Sequence, residues 1–310
     1  MVYMNHLLNS EAVNRSSQME KLQAYTENLA ILAVQALIEE AELTPKPGLV
    51  DKESTGSHHD MSIELMIKSA KSLEPAFREM AKVSYGRVPS QELREEIAAI
   101  GRQGEIDMFQ ATGGVNTHKG AIWALGLLIS TAAMNPGETS LDHICKTAGN
   151  LALFPDRKLP QQITNGKRVK EKYGFNGALG EAQQGFPHLR NIALPVLYDS
   201  RIRGIKEDLC RLNTLIALMA SLDDTCILHR GGAPALTTTK EHASEILLLG
   251  GVWTKAGWKV LEKLSQFLIK CNASPGGSAD LLAATLFLDY LYENNKSELG
   301  EFKKYSLIRK

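Results

Sequence analysis

The chain has 310 residues, 44% hydrophobic and 23% charged, with 35 Lys plus Arg against 35 Asp plus Glu. That is ample apolar material for a core. Zero net charge argues against generic nucleic-acid binding, which rests on a basic field. Four scattered cysteines without a C-x-x-C pair argue against a disulfide scaffold or a structural zinc site and fit a cytoplasmic location. Residues 1–20 lack the basic start and long apolar run of a signal peptide. The longest uncharged apolar run, Gly120 to Met134, has 15 residues and is short for a bilayer span.

Residues 1–20 are expected as a flexible tail, with 21–310 forming one helical domain. The stretch "KLQAYTENLAILAVQALIEEAEL" (21–43) carries a helical apolar stripe, and "TPKPG" stops it. Within 44–61, Lys46 lies between two prolines that stiffen the chain on either side. Asp51 follows the turn. His58, His59 and Asp60 come just before the next apolar pattern, with Asp60 read as its N-cap. Helices are expected at 60–83, with Pro75 a possible kink, and at 89–112, opened by Pro89 and Ser90.

The segment "ATGGVNTHKG" (111–120) then poses a question of charge. Gly113 and Gly114 end one element, and Asn116 and Thr117 look like capping residues. His118 and Lys119 therefore fall in the first turn of an apolar helix over 118–134. A helix N-terminus is positive, so a lysine there costs about 0.3–1 kcal/mol relative to an acid. A bound phosphate would remove the conflict, because free N–H groups and Lys119 would then face an anion. The plainer alternative is that Lys119 snorkels outward and His118 satisfies a buried carbonyl.

Further helices are expected at 139–151, 206–228, 241–250, 254–271 and 278–293. The segment "IALPVLY" (192–198) reads as a short strand or a helix. The basic stretch 155–173 is either a solvated loop with a short helix or a lid over phosphates. In "DDTCILHRGGAP" (223–234), Asp223 and Asp224 form a carboxylate pair suited to magnesium, and Arg230 suits phosphate. The competing reading is a helix cap at Asp-Asp-Thr and a stop at Gly-Gly. Ser278 caps the last apolar run, with Asp280 in its first turn. Glu181 lies between glycines in "GALGEAQQGFP" (177–187).

The fold class is all-α, a compact multi-helix domain with long Gly/Pro-containing loops. Lys46, Lys119 and Arg230 are candidate anion ligands, with the Gly113–Gly114 turn and Asn116 beside them. Asp51, Asp60 and Asp224 are candidate Mg²⁺ ligands. His58, Asp60, His118 and Glu181 are candidates for proton transfer. The residues alone point to a helical enzyme acting on a magnesium-bound polyphosphate.

The segments "LTPKPGLVD", "GSHHDM", "TGGVNTHKGAI", "GEAQQGFP", "HRGG" and "SPGGSADLLAATLF" resemble, in order, signature segments of the triphosphoribosyl-dephospho-CoA synthase family, over about residues 25–290. Leu179 stands where that pattern often has an arginine. The resemblance implies transfer of triphosphoribose from ATP to the 2′-hydroxyl of 3′-dephospho-CoA, with loss of adenine. Such a product is the prosthetic-group precursor of citrate lyase and malonate decarboxylase. It implies small-molecule partners, no nucleic acid or membrane, and leaves a homodimer open. Two rival readings are a metal-dependent phosphohydrolase built on His58, His59, Asp60 and Asp224, and a non-catalytic helical nucleotide-binding protein.

Overall fold

The computed structural model describes residues 2–158 and 165–307, with side chains given for 18–158 and 166–296. Every regular element among them is helical, as the periodicity requires. Helix α1 (Val2–Glu42) begins well before the expected residue 21 and stops at the Thr44-Pro45-Lys46-Pro47 run. The expected 60–83 helix is two elements, α2 (Ile63–Ser72) and α3 (Glu74–Ser84). Pro75 causes the break: it sits in the first turn of α3, where a missing N–H costs nothing. Asp60 is not the cap of α2. Ser62 is, its Oγ accepting from the Leu65 N–H.

Helix α4 (Gln91–Thr112) is capped by Ser90 and ends at Gly113. Both glycines there have left-handed backbones, with φ of 66° and 95°, which a side chain would strain. Helix α5 (Lys119–Met134) is the central rod. Its residues from Ala121 to Ala133 are buried except Trp123, because α1, α3, α4, α6 (Leu141–Leu153) and α13 (Gly276–Leu307) pack around it.

The basic centre holds α7 (Asn165–Tyr173) and α8 (Gly177–Gln183). Residues 159–164 of the expected lid lie outside the described residues. "IALPVLY" is helical, a π-turn at Leu189–Ala193 running into α9 (Leu194–Ile202). The expected 206–228 helix also divides. Helix α10 (Glu207–Ser221) ends, and α11 (Thr225–Leu248) starts at an Asp224 cap. The Gly-Gly of "HRGG" does stop the first helical run of α11, and a second run follows in the same element. The break falls at Gly232 with φ 71° and ψ −174°, before Pro234. Helix α12 (Lys255–Lys270) packs on α11, and α13 returns against α1, α5 and α10. Among the described residues no helix is long and apolar enough to cross a membrane.

Candidate functional site

Three helix N-termini meet beside the 44–60 loop. Asp224 ties two of them together. Its Oδ1 accepts from the N–H groups of Cys226 (2.9 Å), Ile227 and Gly277, and its Oδ2 accepts from the Ser278 N–H (2.8 Å) and hydroxyl (2.9 Å). One buried carboxylate therefore caps both α11 and α13. Burial pushes its pKa up, and these donors pull back against that. Asp224, expected as a magnesium ligand, thus has both oxygens engaged by the fold. Ser278, expected as the cap of α13, instead donates to it.

Asp280, in the first turn of α13, reaches the third N-terminus. Its carboxylate accepts from the Ala121 N–H at the start of α5. The space it fills exists because residue 120 is glycine: a Cβ there would lie 2.0 Å from Asp280 Oδ2. Burial, then Glu40 and Asp224, push the Asp280 carboxyl well above the usual carboxylate range. A concentration of acid at one point raises pKa in this way, and a cation lowers it again.

Glu40 and Lys46 lie deeper. Lys46 Nζ donates to the Glu40 carboxylate and to the Glu40 carbonyl, both at 2.6 Å, with both side chains nearly fully buried. Lys46, expected on phosphate, is therefore spent on an internal ion pair. Asp51 is similarly turned inward. Its oxygens accept from the Lys46, Glu53 and Ser54 N–H groups at 2.8–2.9 Å, which folds the loop back on itself. Glu40 was not picked out from the sequence. The signal was present, since an acid in the last turn of a helix opposes the dipole and needs a cation.

His118 is buried at 3% exposure. Its Nδ1 shares a hydrogen bond with Ser69 Oγ at 2.7 Å, and its Nε2 has no partner. Burial, aided by Lys46, pushes its pKa down to about 3, so it is neutral at pH 7. Lys119, the misplaced cation of the opening segment, is answered by Glu105 of α4 at 2.6 Å. Asn116 Oδ1 accepts the Lys119 N–H. The Gly113 and Gly114 N–H groups both turn back to the Phe109 carbonyl. Any donation to an anion here falls to the first turn of α5, not to the glycines.

The rim is formed by Arg230 of α11 and the end of the 44–60 loop. Arg230 donates to the Ser57 carbonyl (3.1 Å) and Asn272 Oδ1 (3.3 Å), and its Nη1 lies 3.3 Å from His58 Nε2. Burial and the Arg230 charge hold His58 below its ordinary pKa, while Asp60, 3.8 Å from His58 Nδ1, opposes them. Cys226 feels Asp224, Asp280 and Arg230 together, so it links floor to rim; burial pushes its thiol up and makes it inert.

Glu181 stands apart from this group. Its Oε2 binds His188 Nδ1 at 2.6 Å and its Oε1 accepts the His188 N–H. The Ser221 backbone also lies close to the ring, and the Glu181 hydrogen bond, with Ser221 adding to it, raises the His188 pKa. The pair is a latch between α8 and the end of α10. The sequence hid His188, because its contact depends on the turn at Gly185 and Phe186, both in left-handed conformation. Among the described residues no group of three or more His, Cys, Asp or Glu is arranged to hold a metal by itself.

Residues 26–299 match the model of the CitG family, ATP:dephospho-CoA triphosphoribosyl transferase. The chain belongs to this family. A probable 2-(5''-triphosphoribosyl)-3'-dephosphocoenzyme-A synthase of Pseudomonas syringae pv. syringae (strain B728a) is 49% identical over 267 residues, covering 86% of this chain and 91% of the relative. One from Pseudomonas putida, also termed probable, is 48% identical over 277 residues, 89% and 98% of the two chains. The synthase of Klebsiella pneumoniae is 48% identical over 261 residues, 84% and 93%. No solved structure matches. The triphosphoribosyl transferase family covers every segment of the constellation above, from Glu40 to Asp280. The phosphohydrolase reading is not favoured by any of these matches.

Proposed function

We propose that the chain joins ATP to 3′-dephospho-CoA, forming 2′-(5″-triphosphoribosyl)-3′-dephospho-CoA and releasing adenine, in the cytoplasm and for prosthetic-group synthesis. The observation that carries the reading is the meeting of the α5, α11 and α13 N-termini on Asp224 and Asp280, beneath Arg230 and His58. This gives an acidic floor and a cationic rim, which suits a polyphosphate that arrives with a divalent cation.

The bond broken is the N-glycosidic bond at C1′ of the ATP ribose, and the nucleophile is a hydroxyl. Such a transition state is oxocarbenium-like, so the reaction depends on positioning and on a base. His58 takes the base role: it is held neutral by burial and by Arg230, and Asp60 stands ready to stabilise the imidazolium that forms. Arg230 and Lys119 supply the positive charge for the phosphates, and in the first turn of α5 the Gly120 N–H, the one there without an acceptor among the described residues, adds a donor. Glu105 holds Lys119 in place until the triphosphate replaces it.

Mg²⁺ neutralises triphosphate charge and commonly takes only one or two protein carboxylates. The residues present fit it. Asp280, with a carboxyl raised by burial and by neighbouring acids, and the exposed Asp60 would hold it. Asp51 and Asp224 shape the floor through the N–H groups they accept. Lys46, paired with Glu40, keeps that floor from carrying more negative charge than the fold tolerates, and His118 stays neutral beside it.

The test is incubation with ATP, Mg²⁺ and 3′-dephospho-CoA, read by mass spectrometry. Free adenine and an adduct that keeps all three phosphates are expected in equal amounts. ADP, pyrophosphate or orthophosphate appearing in step with turnover would overturn the reading.

A further inference from the structure

Between α4 and α5 lies a cavity of about 110 Å³. Its floor is apolar, including Ile97 and Leu127, and its polar lining holds Arg94, Arg102 and Trp123 together with the carboxylates of Glu105 and Asp156. Of these, only Glu105 belongs to the constellation described above, through Lys119.

Arg94 is only 6% exposed. Its Nε is buried with no partner, and among the described residues no hydrogen bond or ion pair reaches its guanidinium. Its contact is the face of Trp123, 4.9 Å from the ring centroid. The nearby acids are already taken. Asp156 pairs with Arg102, and Glu105 pairs with Lys119. The lining holds two cations and two acids, but Glu105 is drawn to Lys119 outside it, which leaves Arg94 without a paired acid. A guanidinium does not shed its proton. Burying it unpaired is costly, and an aromatic face offsets only part of that cost. A cavity this size exceeds what a single water needs.

We propose that this cavity binds an oxyanion, a phosphoryl or carboxylate group that pairs with Arg94 and lies against the apolar wall of α5. The group is either part of a nucleotide substrate or a free small anion. Only the first of these sources rests on the proposed reaction.

The probe is inorganic phosphate, added to the full chain at constant ionic strength set with chloride and followed by thermal melting. Wild type should gain several degrees in a saturable manner. Arg94→Met should melt higher than wild type without phosphate, because an unpaired charge is gone, and should not respond to phosphate. Ala98→Leu, which fills the cavity from α4 and keeps Arg94, should lose the response as well. A KM for ATP or dephospho-CoA raised about tenfold or more in both variants assigns the oxyanion to that substrate. An unchanged KM with the phosphate response abolished assigns it to a free anion. No saturable shift in wild type, or an equal shift in all three proteins, would refute the site and leave only water there. The melting readout needs no turnover, so it stands or falls apart from the transferase reading.

Discussion

Lowering the pH should unfold this protein partly through His118. The imidazole is fully enclosed and lies near Lys46, and its folded pKa is pushed down to about 3. In the unfolded chain it returns to about 6.5. Below 6.5 the unfolded chain therefore takes up a proton that the folded one refuses. Stability is complete above that value and falls as the pH drops toward 3. Each pH unit in that window is worth up to about 1.4 kcal/mol. Between pH 7 and pH 5 the loss is about 2 kcal/mol from this residue alone. His118→Gln removes the titration and keeps a polar group near Ser69 Oγ. Urea unfolding, followed by tryptophan fluorescence at pH 7, 6 and 5, should give a flatter stability curve for the variant by about that amount. Parallel curves over this range would show that the folded imidazole can be protonated, and so that it is not sealed from water.

Gly120→Ala should improve helix propensity yet drive Asp280 from the α5 terminus, since the added Cβ would meet its Oδ2 at 2.0 Å. We expect kcat to fall by about 10²-fold or more with circular dichroism unchanged. Lys119→Ala should raise the KM for ATP while moving Tm by less than about 2 °C, because its half-exposed pair with Glu105 is worth at most about 1 kcal/mol and helix strain is relieved. Asp224→Ala leaves five donors without their acceptor and should cost about 3 kcal/mol or more in denaturant unfolding. His58→Gln should abolish the acid limb of the kcat/KM profile, which in wild type should fall below pH 6.5 because burial and Arg230 lower the imidazole pKa.

Periodicity made the helices legible where an apolar stripe ran unbroken, as in α5 and α12. It failed where two stripes are in phase across a break. Pro75 and Asp224 each interrupt a continuous pattern; the residues offered a kink and a cap there, and the structure shows that each opens a new helix. For the site, the residue types were visible but their duties were not. Lys46 and Lys119 look alike in sequence, yet one is sealed against Glu40 and the other stands half-open against Glu105. Both partners come from acids that a charge argument at helix ends would have sought: Glu40 at a C-terminus, and Glu105 opposite a misplaced lysine. Arg94 gave no sign, because a lone arginine in a helix usually reaches solvent, and its burial depends on Trp123 from another element.

The shared cap at Asp224 also has a consequence for synthesis. The carboxylate receives donors from residues 226–227 and from residues 277–278, so α11 is finished only when α13 arrives. Asp280 comes with the same helix. A chain still on the ribosome, with residue 276 not yet released, lacks Asp280 and three of the five Asp224 hydrogen bonds. Completion of the site described above therefore comes with α13, the last helix to be made.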